Sequence, residues 1–383
     1  MAGIYIHIPY CKQACHYCNF HFSTSMQTKN DFVTALLKEI SLQRGYLEKE
    51  PVETIYFGGG TPSLLTTEEV QVILGKVGHI FPQGDAMEVT LEANPDDIAR
   101  QKVKSWKRAG INRVSIGVQS FSDVDLRWMN RAHQAAQALN SIELVSDQGL
   151  EVSIDLIYGT PTLSDEQWRK NVETAIACKV SHLSCYALTV EPRTALQKLI
   201  QNKKLPPVDT NDQARQFQML MKWMRMAGYE HYEISNFALP GHRSRHNAGY
   251  WQGKKYLGLG PSAHSYNGHS RQWNVSNNIR YVQSLAKGEL LFEKEELTSV
   301  QVLNEYIMTA LRTMEGVDLD LVARKFGPEA LVRLMENSGQ YMLMRRIEKV
   351  ENRLVLTDEG RLFADGIAAD LFFEILKESP HSS

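Results

Sequence analysis

The sequence predicts an α/β protein: a partial (β/α)6 TIM-like barrel followed by a mainly helical, winged-helix-like C-terminal domain. Three observations predict it. Six short runs rich in β-branched and aromatic residues alternate with longer segments of helical spacing. Glycine-rich and polar motifs stand where those runs end, and past about residue 293 the alternation gives way to helices around one hairpin.

In chain order, strands are expected at 3–8, where Ile4, Ile6 and Ile8 alternate with other residues, and at 53–57, 87–92, 113–118, 151–157 and 182–188. The segments 32–42, 67–77, 98–109, 135–146, 166–177 and 212–226 carry apolar residues at helical spacing. Serial β-then-α units imply a parallel sheet with right-handed crossovers, either an open doubly wound sheet or an incomplete barrel. In both, ligands sit at the carboxyl ends of the strands.

A strand near 232–235 follows, and then a stretch from 240 to 278 that reads as an irregular loop. It holds six glycines and four histidines, and a loop of that length is usually functional. Helices are expected at 297–313, 319–326 and 329–335, a hairpin at 344–356 turning near 351–353, a last helix at 359–376, and frayed residues at 378–383. This gives a core barrel over 1–236, a Gly/His-rich rim segment over 237–292 and a C-terminal helical domain over 293–383.

Composition narrows the function. The 383 residues are 43% hydrophobic and 22% charged, ordinary values for a globular protein, and no apolar run approaches the ~18 residues of a membrane span. Contact with membrane proteins would therefore be transient. A net charge of −2 speaks against a nucleic-acid binder. From residue 297 onward ten Arg/Lys face fourteen Asp/Glu, so the winged-helix-like part is acidic where a DNA reader should be basic. The N-terminus lacks a basic-then-apolar leader, and the expected compartment is the cytoplasm.

Five cysteines, three of them within Cys11-Lys-Gln-Ala-Cys15-His-Tyr-Cys18, form a poor disulfide framework and a good metal-ligand pattern. Three adjacent thiolates repel one another unless a cation neutralises them. Structural zinc wants four ligands, and an iron–sulfur cluster usually takes four cysteines. The fourth ligand is then His16, His21 or a position left open for substrate. Cys178 and Cys185 lie in apolar surroundings and read as small core residues. The other strands end in Gly58-Gly-Gly-Thr-Pro62, Glu92-Ala-Asn-Pro95, Gly117-Val-Gln119 and Asp155-Leu-Ile-Tyr-Gly159, which brings polar groups to the same rim as the cysteines.

On these motifs the chain resembles the radical S-adenosylmethionine (SAM) family, and within it the oxygen-independent coproporphyrinogen III oxidases and their haem-chaperone relatives. The likeness runs from Tyr5-Ile-His-Ile-Pro-Tyr-Cys11 through Gly258-Leu-Gly-Pro-Ser-Ala-His264 to Leu356-Thr-Asp-Glu-Gly-Arg361. It implies that Cys11, Cys15 and Cys18 hold a 4Fe–4S cluster whose open iron takes the amino and carboxyl groups of SAM. It further implies that Tyr5, Tyr17, Gly59, Gly60, Thr61, Glu92, Gln119, Arg131, Asp155 and Ala187 line SAM, and that an electron donor such as flavodoxin or ferredoxin serves the cluster.

Three features point to the chaperone branch. The oxidases carry a fourth cysteine two places after the third, where this chain has Phe20. They also carry an extension of several tens of residues before the cluster, where this chain has ten residues. Finally, His246-Asn-Ala-Gly-Tyr-Trp251 matches the H-N-x-x-Y-W signature that the resemblance associates with haem binding. Haem as cargo, with unidentified acceptor proteins and a monomeric or dimeric carrier, is the expected function. Porphyrinogen oxidation is the alternative. A neutral histidine is a common axial ligand and Tyr250 and Trp251 offer aromatic surface. Without the resemblance, His246 reads as a histidine that orients its loop by hydrogen bonds. Arg243, Arg245 and Arg271 are candidates for the haem propionates, and His264 falls in the rim loop.

Overall fold

The computed structural model describes residues 2–374. Six strands, β1 (Ala2–Ile8), β2 (Val52–Gly59), β3 (Gln83–Ala93), β4 (Arg113–Gln119), β5 (Glu151–Tyr158) and β6 (His182–Ala187), lie parallel and adjacent in sequence order. Helices α1 (Lys29–Leu42), α2 (Thr67–Ile80), α3 (Arg100–Ala109), α4 (Asp123–Trp128), α5 (Ala135–Ser146), α6 (Asp165–Ala177), α7 (Ala195–Gln201) and α8 (Thr210–Met226) follow or separate them. Apolar positions such as Ile4, Ile6 and Ile8 of β1 pack outward against Phe32, Leu36 and Ile40 of α1. The alternate positions face inward, and Tyr5, Tyr56, Thr90, Arg113, Ser153 and His182, one from each strand, line one cavity. The sheet is therefore curled around a polar lumen. Strand β1 pairs on its other side with β9 (Tyr256–Leu259) rather than with β6, so the barrel is incomplete.

Beyond β6 the expected strand near 232–235 is a hairpin, β7 (Glu230–Glu233) and β8 (Asn236–Ala238), which extends the sheet antiparallel to β6. The stretch expected to be irregular is ordered. It contains helix α9 (Arg245–Trp251), β9, β10 (His264–Tyr266) and β11 (Ser270–Asn274). Helix α10 (Asn278–Ala286) and the wholly exposed edge strand β12 (Phe292–Glu296) complete a twelve-stranded sheet. Strands of three to five residues are too short to show a period, and β11 buries its polar residues Ser270, Gln272 and Asn274 on the inner face, where a hydrophobic pattern would be sought. Ser244 caps α9 by accepting from the Asn247 amide. The carboxylate of Glu88 accepts from the amides of Arg245 and His246, both at 3.0 Å.

The last unit has its own core of Leu303, Ile307, Leu311, Val322, Leu334, Leu354 and Ile367. Its order is helix α11 (Ser299–Leu311), strand β13 (Val317–Asp318), helices α12 (Leu319–Phe326) and α13 (Pro328–Leu343), then strands β14 (Ile347–Val350) and β15 (Arg353–Leu356). The strands stack β13-β15-β14, a winged-helix topology. The expected last helix is divided into α14 (Asp358–Arg361) and α15 (Ala364–Asp370). Residues 375 and 376 of that expected helix, and the expected frayed segment 378–383, lie outside the described residues. No helix among the described residues is long and apolar enough to cross a membrane.

Candidate functional site

The three cysteines occupy the loop that leaves the carboxyl end of β1. The loop is tied to the segment after α4: the His16 amide donates to the Met129 carbonyl, Asn130 Nδ2 to the Ala14 carbonyl and Gln13 Nε2 to the Asn130 carbonyl. Tyr17 packs into the cluster of Leu126, Met129, Ile157, Leu188 and Leu196. The same loop places Phe20 in solvent, 67% exposed.

A polar chain joins two of the thiols through the rim. Thr61 Oγ1 donates to Cys11 Sγ at 3.5 Å and accepts from Asn94 Nδ2 at 3.2 Å. Asn94 Oδ1 accepts from Arg131 Nη2 at 2.7 Å, and Arg131 Nη1 reaches Cys15 Sγ at 3.3 Å. Arg131 also donates to the Gly117 carbonyl at the end of β4. Burial, reinforced by charge on the neighbouring thiols, pushes the Cys18 thiol up to about 11 against an opposing hydrogen bond from the Phe20 backbone, and burial raises Cys11 as well. Ionising Cys11 and Cys18 therefore needs positive charge beyond that of Arg131.

Among the described residues no three Cys, His, Asp or Glu side chains converge on one point as a single metal ion requires. The donor set does fit a polynuclear cluster, which takes each thiolate on a different iron. Neither histidine offered as a fourth ligand is free at both nitrogens: His16 Nδ1 bonds the Trp128 carbonyl and His21 Nε2 bonds Asn278 Oδ1.

The remaining rim residues have separate local causes. Gly59 has φ +105°, and a Cβ there would stand 2.5 Å from the ring of His7; one on Gly60 would stand 2.6 Å from the Tyr10 carbonyl. These glycines let the β2 loop press against the entry to the cysteine loop. Gln119 adopts φ +66° where β4 bulges, which turns the chain at the rim. Ala187 ends β6 opposite Tyr158.

Glu92 accepts from the Tyr56 hydroxyl at 2.7 Å and the Gly59 amide at 3.2 Å. Burial raises its carboxyl to about 7 and that of Asp155 to about 6, the latter opposed by hydrogen bonds from Ser184 and Ser115. Tyr5 reaches His7 Nδ1 at 3.3 Å, and His7 Nε2 donates to the His21 carbonyl. Asn94, Tyr56 and His7 are the residues that sequence reasoning missed as members of the site. The signal for Asn94 was in the Glu92-Ala-Asn-Pro95 motif; that for Tyr56 and His7 was their inward parity with Thr54 and Tyr5.

The H-N-x-x-Y-W helix lies elsewhere. The expected rim segment divides, and α9 closes the opposite end of the lumen. His246 contacts the first turns of β1 and β2: its ring stands 3.1 Å from where a Cβ on Gly3 would lie, and its Nδ1 is 2.7 Å from Thr54 Oγ1. Its Nε2 is 2.8 Å from the Tyr250 hydroxyl, and its ring stacks on Tyr56 at 5.1 Å. Both nitrogens are thus engaged, and burial holds the imidazole neutral, down to about 3. Trp251 donates to Asn247 Oδ1 and lies under the guanidinium of Arg312 at 5.1 Å, at the junction with the C-terminal unit. The three candidate propionate arginines are in ion pairs, Arg243 with Glu230 and Glu315, Arg245 with Glu53, and Arg271 with Glu305. His264 is exposed and stacks on Trp273, outside the lumen.

Comparison with known proteins places this geometry. Residues 5–175 match the Radical SAM superfamily and residues 297–363 the HemN C-terminal domain. A heme chaperone HemW of Bacillus subtilis is 32% identical over 378 residues, covering 96% of this chain and 98% of the relative. The chain belongs to the HemW family of radical SAM proteins. The HemW proteins of Mycobacterium tuberculosis and Escherichia coli are each 34% identical over 375 residues, covering 96% and 95% of this chain and 94% and 96% of their own lengths. Among solved structures, the coproporphyrinogen III oxidase HemN of Escherichia coli superposes with a TM-score of 0.84 at 21% identity, over 97% of this chain and 90% of that one. That likeness shows the shared α/β radical SAM fold. Membership of the superfamily implies SAM and an iron–sulfur cluster for HemW proteins.

Proposed function

We propose that this protein binds haem and delivers it to acceptor proteins, using a 4Fe–4S cluster and SAM at the barrel rim. One observation carries the reading: end-to-end relatedness to curated haem chaperones, at 32–34% identity, against a fold-level likeness alone to the oxidase.

In this reading Cys11, Cys15 and Cys18 hold the cluster, and Arg131 and Thr61 fix the orientation of two of the sulfurs. The SAM groove is formed by Tyr5, Tyr17, Gly59, Gly60, Thr61, Glu92, Gln119, Arg131, Asp155 and Ala187. Glu92 and Asp155 are the acceptors for its amino and hydroxyl groups. The cluster and SAM supply one-electron chemistry at the sulfonium when bound. The chain contributes orientation, and its buried rim keeps water from the reacting centre. His246 is kept neutral, the form that ligates iron, and the Tyr250 hydroxyl is the group that must give way for ligation. Trp251 links the same helix to the C-terminal unit, which gives haem binding a route to acceptor contact. The electron donor is a small flavodoxin- or ferredoxin-type protein, and the setting is the cytoplasm.

Haem titration tests the proposal. A saturable Soret shift at stoichiometric protein is expected, weakened in His246→Ala, and no shift refutes the carrier role. Anaerobic incubation with SAM, a low-potential reductant and coproporphyrinogen should yield no protoporphyrinogen; robust turnover would establish the oxidase instead.

A further inference from the structure

A TIM-type barrel normally fills its interior with Val, Ile and Leu. Here many inward positions are polar: Thr90, Arg113, Ser115, Ser153, His182 and Ser184. They enclose a cavity of about 180 Å³. It opens at the rim beside Glu92 and Tyr186, which is 43% exposed, and is closed below by α9 through Ser244, His246 and Asn247.

Three polar atoms of its lining residues, each residue at least 98% buried, have no hydrogen-bond partner: Arg113 Nη2, Thr90 Oγ1 and Asn236 Oδ1. Buried polar atoms without partners are rare and costly, about 1–3 kcal/mol each, and call for a ligand or ordered water. Thr90 and Arg113 are register neighbours across β3 and β4, so two of the three stand side by side. The guanidinium is always charged and presents its donors in a fixed fork suited to a carboxylate. Its Nη1 is taken by Glu151 at 2.8 Å, while Nη2 has no partner. The cavity's own acids sit higher. Glu92 is held by Tyr56 and Gly59, and Asp155 by Ser184 and Ser115, with the charges of Arg131 and Arg113 also favouring its ionised form.

Size limits the ligand. Pockets that enclose whole drug-sized molecules run to roughly 300–1,000 Å³. The 180 Å³ spans the whole lumen, including the rim lined by Tyr5, Glu92 and Asp155, so its lower part has room for no more than a short chain.

We propose that the lower barrel lumen is a binding compartment for a single carboxylate on a short aliphatic chain, anchored by Arg113 and Thr90 above the His246 helix. Free short-chain carboxylates and the propionate arm of a tetrapyrrole share this chemistry. Assignment to the arm rests on the haem-carrier reading; the compartment itself does not.

The experiment is calorimetric titration of the full chain with sodium propionate, with propionamide as the uncharged control. The expected result is saturable propionate binding, no propionamide binding, loss of binding in Arg113→Gln and a roughly fivefold weaker affinity in Thr90→Val, the equivalent of about one hydrogen bond. Thr90→Val removes a hydroxyl that bonds nothing, so it retains the fold even where Arg113→Gln does not. Absence of saturable propionate binding, or unchanged affinity in Thr90→Val, overturns the compartment. Haem and haem dimethyl ester then separate the sources. Weaker ester binding, with haem affinity reduced by Thr90→Val, assigns the carboxylate to the cargo. Equal haem and ester binding with intact propionate binding assigns it to a free acid. Intact propionate binding with no haem binding removes the carrier reading and leaves the compartment standing.

Discussion

Replacing Glu92 by glutamine should make the apo-protein relatively more stable as the pH rises. The carboxyl ionises near 4.5 when unfolded and near 7 when folded, because burial costs its charge more than Tyr56 and Gly59 return. A carboxyl raised in the folded state contributes stability that is fully present below pH 4.5 and is lost as the pH passes through 7. Each pH step between those values costs about 1.4 kcal/mol. Summed from pH 5 to pH 8, the wild type loses about 2–3 kcal/mol that Glu92→Gln does not. The amide forfeits one of the two hydrogen bonds, about 1 kcal/mol, at every pH. Histidines run the other way: His7 is held down to about 4 and His246 to about 3, mainly by burial, so their contribution is present above about 6.5 and lost on acidification. They are common to both proteins and cancel. Urea unfolding followed by tryptophan fluorescence at pH 5, 6.5 and 8 measures the difference. Parallel stability curves for the two proteins would show that the carboxyl at the rim is not held neutral by burial, and the reasoning would fail.

Further perturbations have separate readouts. Cys15→Ala should abolish the broad visible absorbance of the reconstituted protein, and an unchanged spectrum would remove Cys15 from the ligand set. Gly60→Ala forces a Cβ onto the Tyr10 and Ile8 carbonyls at 2.6 and 2.7 Å and should cost roughly 1–3 kcal/mol in unfolding free energy, along with cluster retention. Arg312→Ala leaves Glu233, 1% exposed, without its 2.9 Å ion pair and uncovers Trp251; a loss of about 3 kcal/mol and faster proteolysis at the junction of the two units are expected. Equal proteolysis of variant and wild type would rule out that junction as a stabilising contact.

Most of the barrel was legible because its physics is local. Strands such as β1 and β5 announce themselves by runs of Ile, Val and Leu, and α5 matched its expected limits because its apolar spacing is regular. The strands β9 to β12 were not legible. Tyr256–Leu259 is too short to show a period, and Phe292–Glu296 is exposed throughout and charged at every position after Phe292, so only pairing to neighbours defines it. The rim motifs were readable in the sequence as glycines and acids at strand ends, whereas Asn94 joined the site only through its bonds to Thr61 and Arg131.

The sequence by itself determined the donor chemistry: three cysteines at close spacing, glycines and carboxylates at strand ends, and a histidine with two aromatics one helical turn away. Those follow from residue type and order, which no folding step can alter. Tertiary structure alone decided their distribution, with the cysteines and Glu92 at one mouth of the lumen and His246 at the other. Side-chain parity along a strand says which residues face inward, but the curl of the sheet decides what they enclose. That curl brings Arg113, Thr90 and Asn236 from three strands onto one cavity, where their unpaired atoms acquire a meaning that no linear spacing carries.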